Sequence, residues 1–304
     1  MKKTLWSHDF IIITLGTLIS AIGSTAMSFA LSLVVFDHTS STLMTGIFTA
    51  ISLMPTVLIP ILAAPLVDGS CRKRLIVMLD SGNGILYLLF AAFLLMQEFS
   101  YAGYLIFSLL TASFGAIYSL AYSSLYPDLI PKGFAQRGYS VSSLIYPSVT
   151  ALFTPVASLL YVHLGIAWIC AMEGILLLTA ALFEARIRYQ ETIGKRVFTL
   201  QKYKADLMDG FRYLKKEKGI RSIYGYMAVT NASAEGINLV TMAMFQSSPI
   251  LTTTMYAFLT TADTIGRMAG GLMHYVLHIP AKKRYRVAVS VYAVYESLDM
   301  VFLF

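Results

Sequence analysis

Charged side chains are scarce in this sequence of 304 residues, where they make up 13% of the total against 57% for hydrophobic residues. Soluble domains carry about 25% charged residues, so the composition excludes an ordinary water-soluble protein. The mean hydropathy is +0.69, and apolar runs recur at about 20 residues, the length that crosses a bilayer as a helix. These runs are too long and continuous for the strands of a membrane barrel. The sequence therefore predicts an all-α polytopic membrane protein whose solvent is the lipid bilayer.

Cysteines and catalytic motifs are also scarce. The two cysteines, Cys71 and Cys170, fall on a predicted loop and a predicted span, so neither a disulfide nor a metal site is expected. The sequence contains no nucleotide-binding loop, no HExxH and no GxSxG. Nothing therefore indicates a protein driven by ATP or a hydrolase. His274 and His278 lie one helical turn apart without a third ligand, and we interpret them as interface histidines. The sequence thus predicts no enzyme, no cofactor and no metal site.

The distribution of basic residues predicts how the chain crosses the membrane. Apart from Arg267, the 23 Lys and Arg residues lie in the N-terminus and in the segments that follow even-numbered spans. Positive charge stays on the cytoplasmic side, so the N-terminus is predicted to be cytoplasmic, in a bacterial inner membrane. The net charge of +7 follows from these basic cytoplasmic segments, so it does not indicate that the protein binds nucleic acid. The predicted spans are 9–36, 43–67, 75–96, 101–126, 138–162, 164–184, 221–247, 250–278 and 287–304.

A long basic segment, residues 185–220, divides the chain into two parts. Residues 1–184 hold six predicted spans, and residues 221–304 hold three. Within the dividing segment, Leu207, Phe211 and Leu214 share one helical face, with most basic residues off it. This spacing favours an amphipathic helix on the cytoplasmic membrane surface over the alternative, a plain solvated linker.

The loop between the second and third spans carries a recognisable motif. It resembles the loop that joins helices two and three of the major facilitator superfamily, where the usual form is Gly-x-x-x-Asp-Arg-x-Gly-Arg-Arg/Lys. Gly69 and Cys71 stand where Arg and Gly are usual. The matching positions are Ala64, Asp68, Arg72, Lys73 and Arg74. The resemblance implies that these residues form a gate on the cytoplasmic side.

Further strings resemble a narrower branch of that superfamily, the macrolide-efflux and enterobactin-exporter-like proteins. They are residues 20–31, 128–144, 209–223 and 266–292. The resemblance implies a secondary transporter that exports amphipathic or lipophilic small molecules by alternating access, with proton or sodium as the coupling ion. Family members normally have twelve spans, so we expect a chain truncated after the ninth helix, which does not transport as given. A non-transporting membrane protein or a degenerate transporter remnant is the alternative.

Polar side chains recur at helical spacing in three of the predicted spans. The resemblance implies that the first, fourth and seventh helices line a central cavity, and a lipid-facing helix has no use for such stripes. The alternative is helix–helix packing through small and hydroxyl residues. The substrate-cavity candidates are Ser20, Ser24 and Ser28 in the first span, Thr111, Tyr118 and Tyr122 in the fourth, and Asn231, Glu235 and Asn238 in the seventh.

Ionisable residues inside spans are functional candidates by default. Asp263 and Arg267 are four residues apart in the eighth span and can pair on one face. A structural role for this intramembrane pair is favoured over substrate contact. Glu173 lies at the centre of the sixth span, which is an outer helix in the family fold. A partner-bonded or protonated role is therefore expected for Glu173 rather than substrate binding.

Overall fold

The computed structural model describes residues 4–96, 99–191, 200–247, 253–277 and 279–302. Within these residues the regular structure is all α-helical, which confirms the predicted fold class. The helices are α1 (His8–Thr39), α2 (Thr42–Asp68), α3 (Arg72–Met96), α4 (Tyr101–Leu129), α5 (Ala135–Leu164), α6 (Ile166–Ala185), α7 (Leu200–Lys216), α8 (Lys218–Ser247), α9 (Thr253–Val276) and α10 (Ala281–Phe302).

Six of these helices, α1 to α6, are long and apolar enough to cross a membrane. They coincide with the first six predicted spans to within a few residues. Helices α8, α9 and α10 occupy the positions of the last three predicted spans. Among the described helices, however, those three do not reach the hydropathy of a membrane span. Membrane crossing by α8, α9 and α10 therefore remains a prediction.

Short polar breaks separate the membrane helices and fix where each one starts. Ser41 and Ser100 precede α2 and α4, and their side chains accept hydrogen bonds from the backbone N–H groups of Met44 and Gly103, both at 3.3 Å. Such caps satisfy N–H groups that the first helical turn leaves free. Between α5 and α6 a single residue, Gly165, reverses the chain at φ 77°, a conformation that costs glycine little.

Helices α3 and α6 approach each other closely through two glycines. A Cβ atom on Gly84 would lie 2.9 Å from the carbonyl oxygen of Gly174, and one on Gly174 would lie 2.8 Å from that of Gly84. Beside this crossing, Phe90 and Phe107 stack with their ring centroids 3.9 Å apart, and Tyr87 meets Phe107 edge-on at 4.9 Å. The bundle therefore has an aromatic core between α3 and α4 and a backbone-to-backbone contact between α3 and α6.

Helix α2 presents a broad apolar face to the outside of the bundle. Large side chains along it are half or more exposed, among them Leu53, Met54, Val57, Leu58 and Leu62. In water such a face would be costly, whereas in a bilayer it meets lipid tails. The exposed face is consistent with a helix that lies at the lipid boundary.

Helix α9 joins the six-helix bundle by packing on α5. The Gln136 side-chain amide donates hydrogen bonds to the carbonyl oxygens of His274, at 2.8 Å, and of Leu277, at 2.6 Å. The Ser140 hydroxyl is 2.6 Å from Nδ1 of His274, so this histidine is an interface residue. His278, its predicted companion, lies outside the described residues.

Helix α7 (Leu200–Lys216) lies within the predicted basic segment 185–220. Its Tyr203 hydroxyl donates a 2.8 Å hydrogen bond to the carbonyl oxygen of Leu62 on α2. Leu207 is partly buried, but Phe211 is 54% exposed. The apolar face is thus incompletely covered by the protein, and its contact with the membrane surface remains a prediction.

We predict that Gly84→Ala lowers the stability of the bundle by about 1–3 kcal/mol, because its methyl group overpacks a backbone contact that cannot move aside. The measurement is the apparent Tm of the purified protein, read from the monodisperse fraction that survives heating. Gly46→Ala is the matched control, since a Cβ there meets no atom within 4 Å. Equal Tm values for Gly84→Ala and Gly46→Ala would contradict the close approach of α3 and α6.

Candidate functional site

A cavity of about 470 Å³ lies inside the six-helix bundle, between α1, α3, α4, α5 and α6. All six candidates from the first and fourth spans line it. They are Ser20, Ser24, Ser28, Thr111, Tyr118 and Tyr122. Helical spacing explains this, because side chains three, four and seven residues apart emerge on one face of a helix.

The α1 wall of the cavity is built from small hydroxyl residues. The Ser24 hydroxyl donates to its own helix at the Ala21 carbonyl oxygen, 3.2 Å away. Ser20 is 9% exposed, and its buried hydroxyl has no hydrogen-bond partner among the described residues. Small side chains leave the cavity open on this side, and Ser20 retains hydrogen-bonding capacity towards it.

The α4 wall of the cavity is aromatic. The rings of Tyr118 and Tyr122 stack with centroids 5.9 Å apart, and Tyr126 continues the stack at 5.3 Å. Thr17 of α1 donates a 3.0 Å hydrogen bond to the Tyr122 hydroxyl and so joins this wall to the serine wall. One side of the cavity therefore offers flat π surfaces and the other offers hydroxyl groups.

Two buried carboxyl groups, Asp80 on α3 and Glu173 on α6, also line the cavity. Glu173 lines it although the resemblance placed its helix on the outside of the bundle. A third acid, the fully buried Glu184, lies behind Tyr118, whose hydroxyl donates to Glu184 Oε1 at 2.6 Å. Sequence reasoning missed Asp80 and Glu184. The available signal was an acidic residue within a predicted span.

The three acids have unused hydrogen-bonding capacity. Asp80 Oδ2, Glu173 Oε2 and Glu184 Oε2 are buried without a hydrogen-bond partner among the described residues. Within that same part of the chain, no Lys, Arg or His lines the cavity. A buried unpaired polar group costs free energy unless a partner satisfies it. The cavity is therefore an acidic environment without a compensating basic side chain.

Glycine provides the room for one of these carboxyl groups. A Cβ atom on Gly23 of α1 would coincide with the Glu173 carboxyl group. The carboxyl group therefore lies directly against the α1 backbone, where a larger residue would displace it. This contact sets Glu173 beside the serine wall of α1.

Among the candidates on the predicted seventh span, Asn231 is the one whose side chain the structure describes, and it does not line this cavity. Asn231 is exposed, and its side-chain amide donates to the carbonyl oxygen of Met227 on its own helix at 2.7 Å. The prediction that Asn231 joins the stripes of the first and fourth spans therefore does not match this structure. The physical reason is that α8 packs chiefly on α7 and α9. The side chains of Glu235 and Asn238 lie outside the described part of the chain.

The pair Asp263 and Arg267 lies on α9, away from the cavity. The two charged groups are 2.7 Å apart and remain 50% and 70% exposed, respectively. Neither residue lines the cavity. An exposed pair of this kind contributes little to stability in water.

In the loop motif between α2 and α3, the hydrogen bonds to other segments involve Arg72 and Lys73 rather than Asp68. Asp68 is exposed and has no hydrogen bond or ion pair within the described residues. The acidic partner of Arg72 is instead Asp128 on α4, at 3.4 Å, and Arg72 also donates to the Ser124 carbonyl oxygen at 3.0 Å. Ala64 is partly buried and Arg74 is exposed.

Glu191, which follows α6, caps the first turn of α3. Its carboxylate accepts hydrogen bonds from the backbone N–H groups of Arg72, at 3.0 Å, and Lys73, at 2.8 Å. The Lys73 ammonium group donates to the carbonyl oxygen of Ile187. A carboxylate is favourable at a helix N-terminus because the helix dipole is positive there. The motif therefore joins α3, α4 and the segment after α6 at one end of the bundle.

Comparison with models of protein families identifies the family of this chain. The model of the Major Facilitator Superfamily matches residues 13–295, so the chain belongs to that superfamily and is an integral membrane protein of a transporter family. Searches of curated proteins and of solved structures gave no match.

We predict that Tyr118→Phe destabilises the bundle, because Glu184 Oε1 loses its donor. A buried acceptor left without a partner costs about 1–3 kcal/mol. The check is a double-mutant cycle on apparent Tm, with Glu184→Leu as the second change. In the Glu184→Leu background, Tyr118→Phe should cost much less. Tyr139→Phe, at a half-exposed position, serves as the control. If Tyr118→Phe lowers the Tm equally in the unmodified protein and in Glu184→Leu, the hydrogen bond between Tyr118 and Glu184 is contradicted.

Proposed function

We propose that this protein is a secondary active transporter of the efflux type, which moves amphipathic small molecules across the membrane by alternating access. Membership of a transporter superfamily supports the general class. The cavity in the six-helix bundle supports the finer assignment, because it combines hydroxyl groups, tyrosine rings and apolar side chains. An amphipathic molecule presents the same mixture of polar and apolar surface.

The volume of the cavity is the main support for this proposal. Small-molecule sites in proteins occupy roughly 300–1,000 Å³, and the volume of about 470 Å³ falls within that range. In the proposed mechanism, the two halves of a transporter rock around a site near the membrane midplane. The stripes on α1 and α4 form the walls that the substrate contacts. Proton or sodium is the coupling ion in this proposal.

The loop motif is proposed as the cytoplasmic gate of the same cycle. Its support is the position of Arg72, whose hydrogen bonds to α4 and whose backbone contact with Glu191 join three segments at one end of the bundle. Opening that end requires these contacts to break and re-form. Lys73 and Arg74 add positive charge at the same end, which we place in the cytoplasm of a bacterial cell.

The alternative function is a non-transporting membrane protein or a remnant of a transporter. One observation favours it: among the described helices, α8, α9 and α10 do not reach the hydropathy of membrane spans. A remnant can retain a binding cavity in its first half without moving a substrate. Binding and transport therefore have to be measured separately.

We predict that Gly115→Leu blocks transport. Gly115 lines the cavity, and a Cβ there meets no atom within 4 Å, so a larger side chain can fill the space without a backbone clash. The measurement is the accumulation of a fluorescent amphipathic dye in bacteria that express the coding frame containing this chain. The unmodified protein should lower accumulation, and Gly115→Leu should abolish that effect.

Gly46→Leu is the matched control, because Gly46 is exposed on α2 and has the same free surroundings. It should transport like the unmodified protein. Saturable dye binding to the purified chain without any change in cellular accumulation would favour the non-transporting alternative. Transport that survives Gly115→Leu would contradict the assignment of this cavity to the substrate.

Cys71 tests the proposed orientation. It is exposed in the loop between α2 and α3, whereas Cys170 is buried. We predict that a membrane-impermeant maleimide labels Cys71 only after the cells are permeabilised, because the basic loop lies in the cytoplasm. Ser40→Cys in a Cys71→Ser background should be labelled in intact cells, since Ser40 is exposed at the opposite end. The reverse labelling pattern would refute the orientation.

A further inference from the structure

We propose that the cavity selects an organic cation: a small amphipathic molecule with one positive charge and aromatic or other apolar surface. This inference rests on the proposed transport function and specifies its substrate class. The observations that carry it are the two buried carboxyl groups of the cavity wall, their unpartnered oxygens and the tyrosine rings.

The ionisable groups on the cavity wall define the charge that a ligand must bring. Within the described residues, the lining contains two carboxyl groups, Asp80 and Glu173, and no basic side chain. Both residues are more than nine-tenths buried, and each has one oxygen without a hydrogen-bond partner. Carboxylates removed from water are strongly stabilised by an opposite charge. An anionic ligand would face repulsion from the same two groups.

Ser20 provides a second and independent indication of a ligand. Its hydroxyl lines the cavity, is nine-tenths buried and has no partner in the described part of the chain. Because a hydroxyl can both donate and accept, it suits the polar part of an uncharged or cationic group. Gly23 keeps the Glu173 carboxyl group on the side of the cavity that α1 forms. Ser20, three residues earlier, lies on the same helix.

The tyrosine wall favours an organic cation over a metal ion. The faces of aromatic rings attract cations and offer apolar area at the same time, and Tyr118 and Tyr122 lie in the cavity wall as a stacked pair. Leu31, Leu79, Phe114 and Leu177 add apolar surface. A metal ion binds instead in a compact cage of several oxygen ligands, whereas this cavity has room for a molecule.

The test compares two probes of equal shape and opposite charge, the tetraphenylphosphonium cation and the tetraphenylborate anion. Each is titrated against the purified chain by equilibrium dialysis in detergent. The cation should bind saturably and the anion should not. Equal saturable binding of both probes would overturn the charge assignment while leaving the proposed transport function intact. If neither probe nor any neutral amphipathic dye binds saturably, the proposed function fails as well.

Isosteric variants test whether the two carboxyl groups give the cavity its preference for cations. Glu173→Gln and Asp80→Asn should each weaken cation binding by about tenfold or more, since each removes one charge of a buried pair. The double variant should abolish binding, and Asp209→Asn, at an exposed position on α7, should leave it unchanged. Unchanged cation affinity in the double variant would overturn the proposal. Replacing potassium chloride with sodium chloride or magnesium chloride at equal ionic strength should have no effect, and complete loss of binding in one of these salts would assign the carboxylates to that metal ion instead.

Discussion

The contact between Gly84 and Gly174 is the constraint on which the cavity depends. Because neither residue has a side chain, α3 and α6 approach to backbone contact at this point. Asp80 lies one turn before Gly84 and Glu173 is next to Gly174, so the same contact brings both carboxyl groups to the cavity wall. Wider spacing of the two helices would separate these acids and open the bundle.

The sequence predicted the cavity walls on α1 and α4 because helical periodicity is a local property. Ser20, Ser24 and Ser28 repeat every four residues, and only one face of a helix can hold them. The direction in which Asp80 or Asn231 faces is not local. Asp80 shares its helical spacing with Asn83 and Tyr87, which also line the cavity, but its burial follows from the packing of α6. Asn231 fits a polar stripe, but the contacts of α8 with α7 and α9 carry it away from the cavity.

The loop motif shows the same division between local and long-range information. The sequence pattern placed Arg72, Lys73 and Arg74 in a loop before a span that begins at residue 75, whereas α3 begins at Arg72. Their partners could not be read from the motif, because Asp128 and Glu191 lie about 56 and 119 residues away along the chain. Local spacing therefore located the start of the helix only approximately, and the tertiary fold selected the acidic residues that complete the network.

The contact of α5 with α9 has a consequence for which amino-acid substitutions each helix can tolerate. Gln136 donates to backbone carbonyl oxygens of His274, in the last turn of α9, and of Leu277, just after it, and every residue type provides such an acceptor. Mutations at Leu277 preserve this acceptor so long as the backbone keeps its path, whereas most replacements of Gln136 remove the donor. Sequence drift is therefore tolerated on one side of the interface and restricted on the other, so the two surfaces need not coevolve at this point.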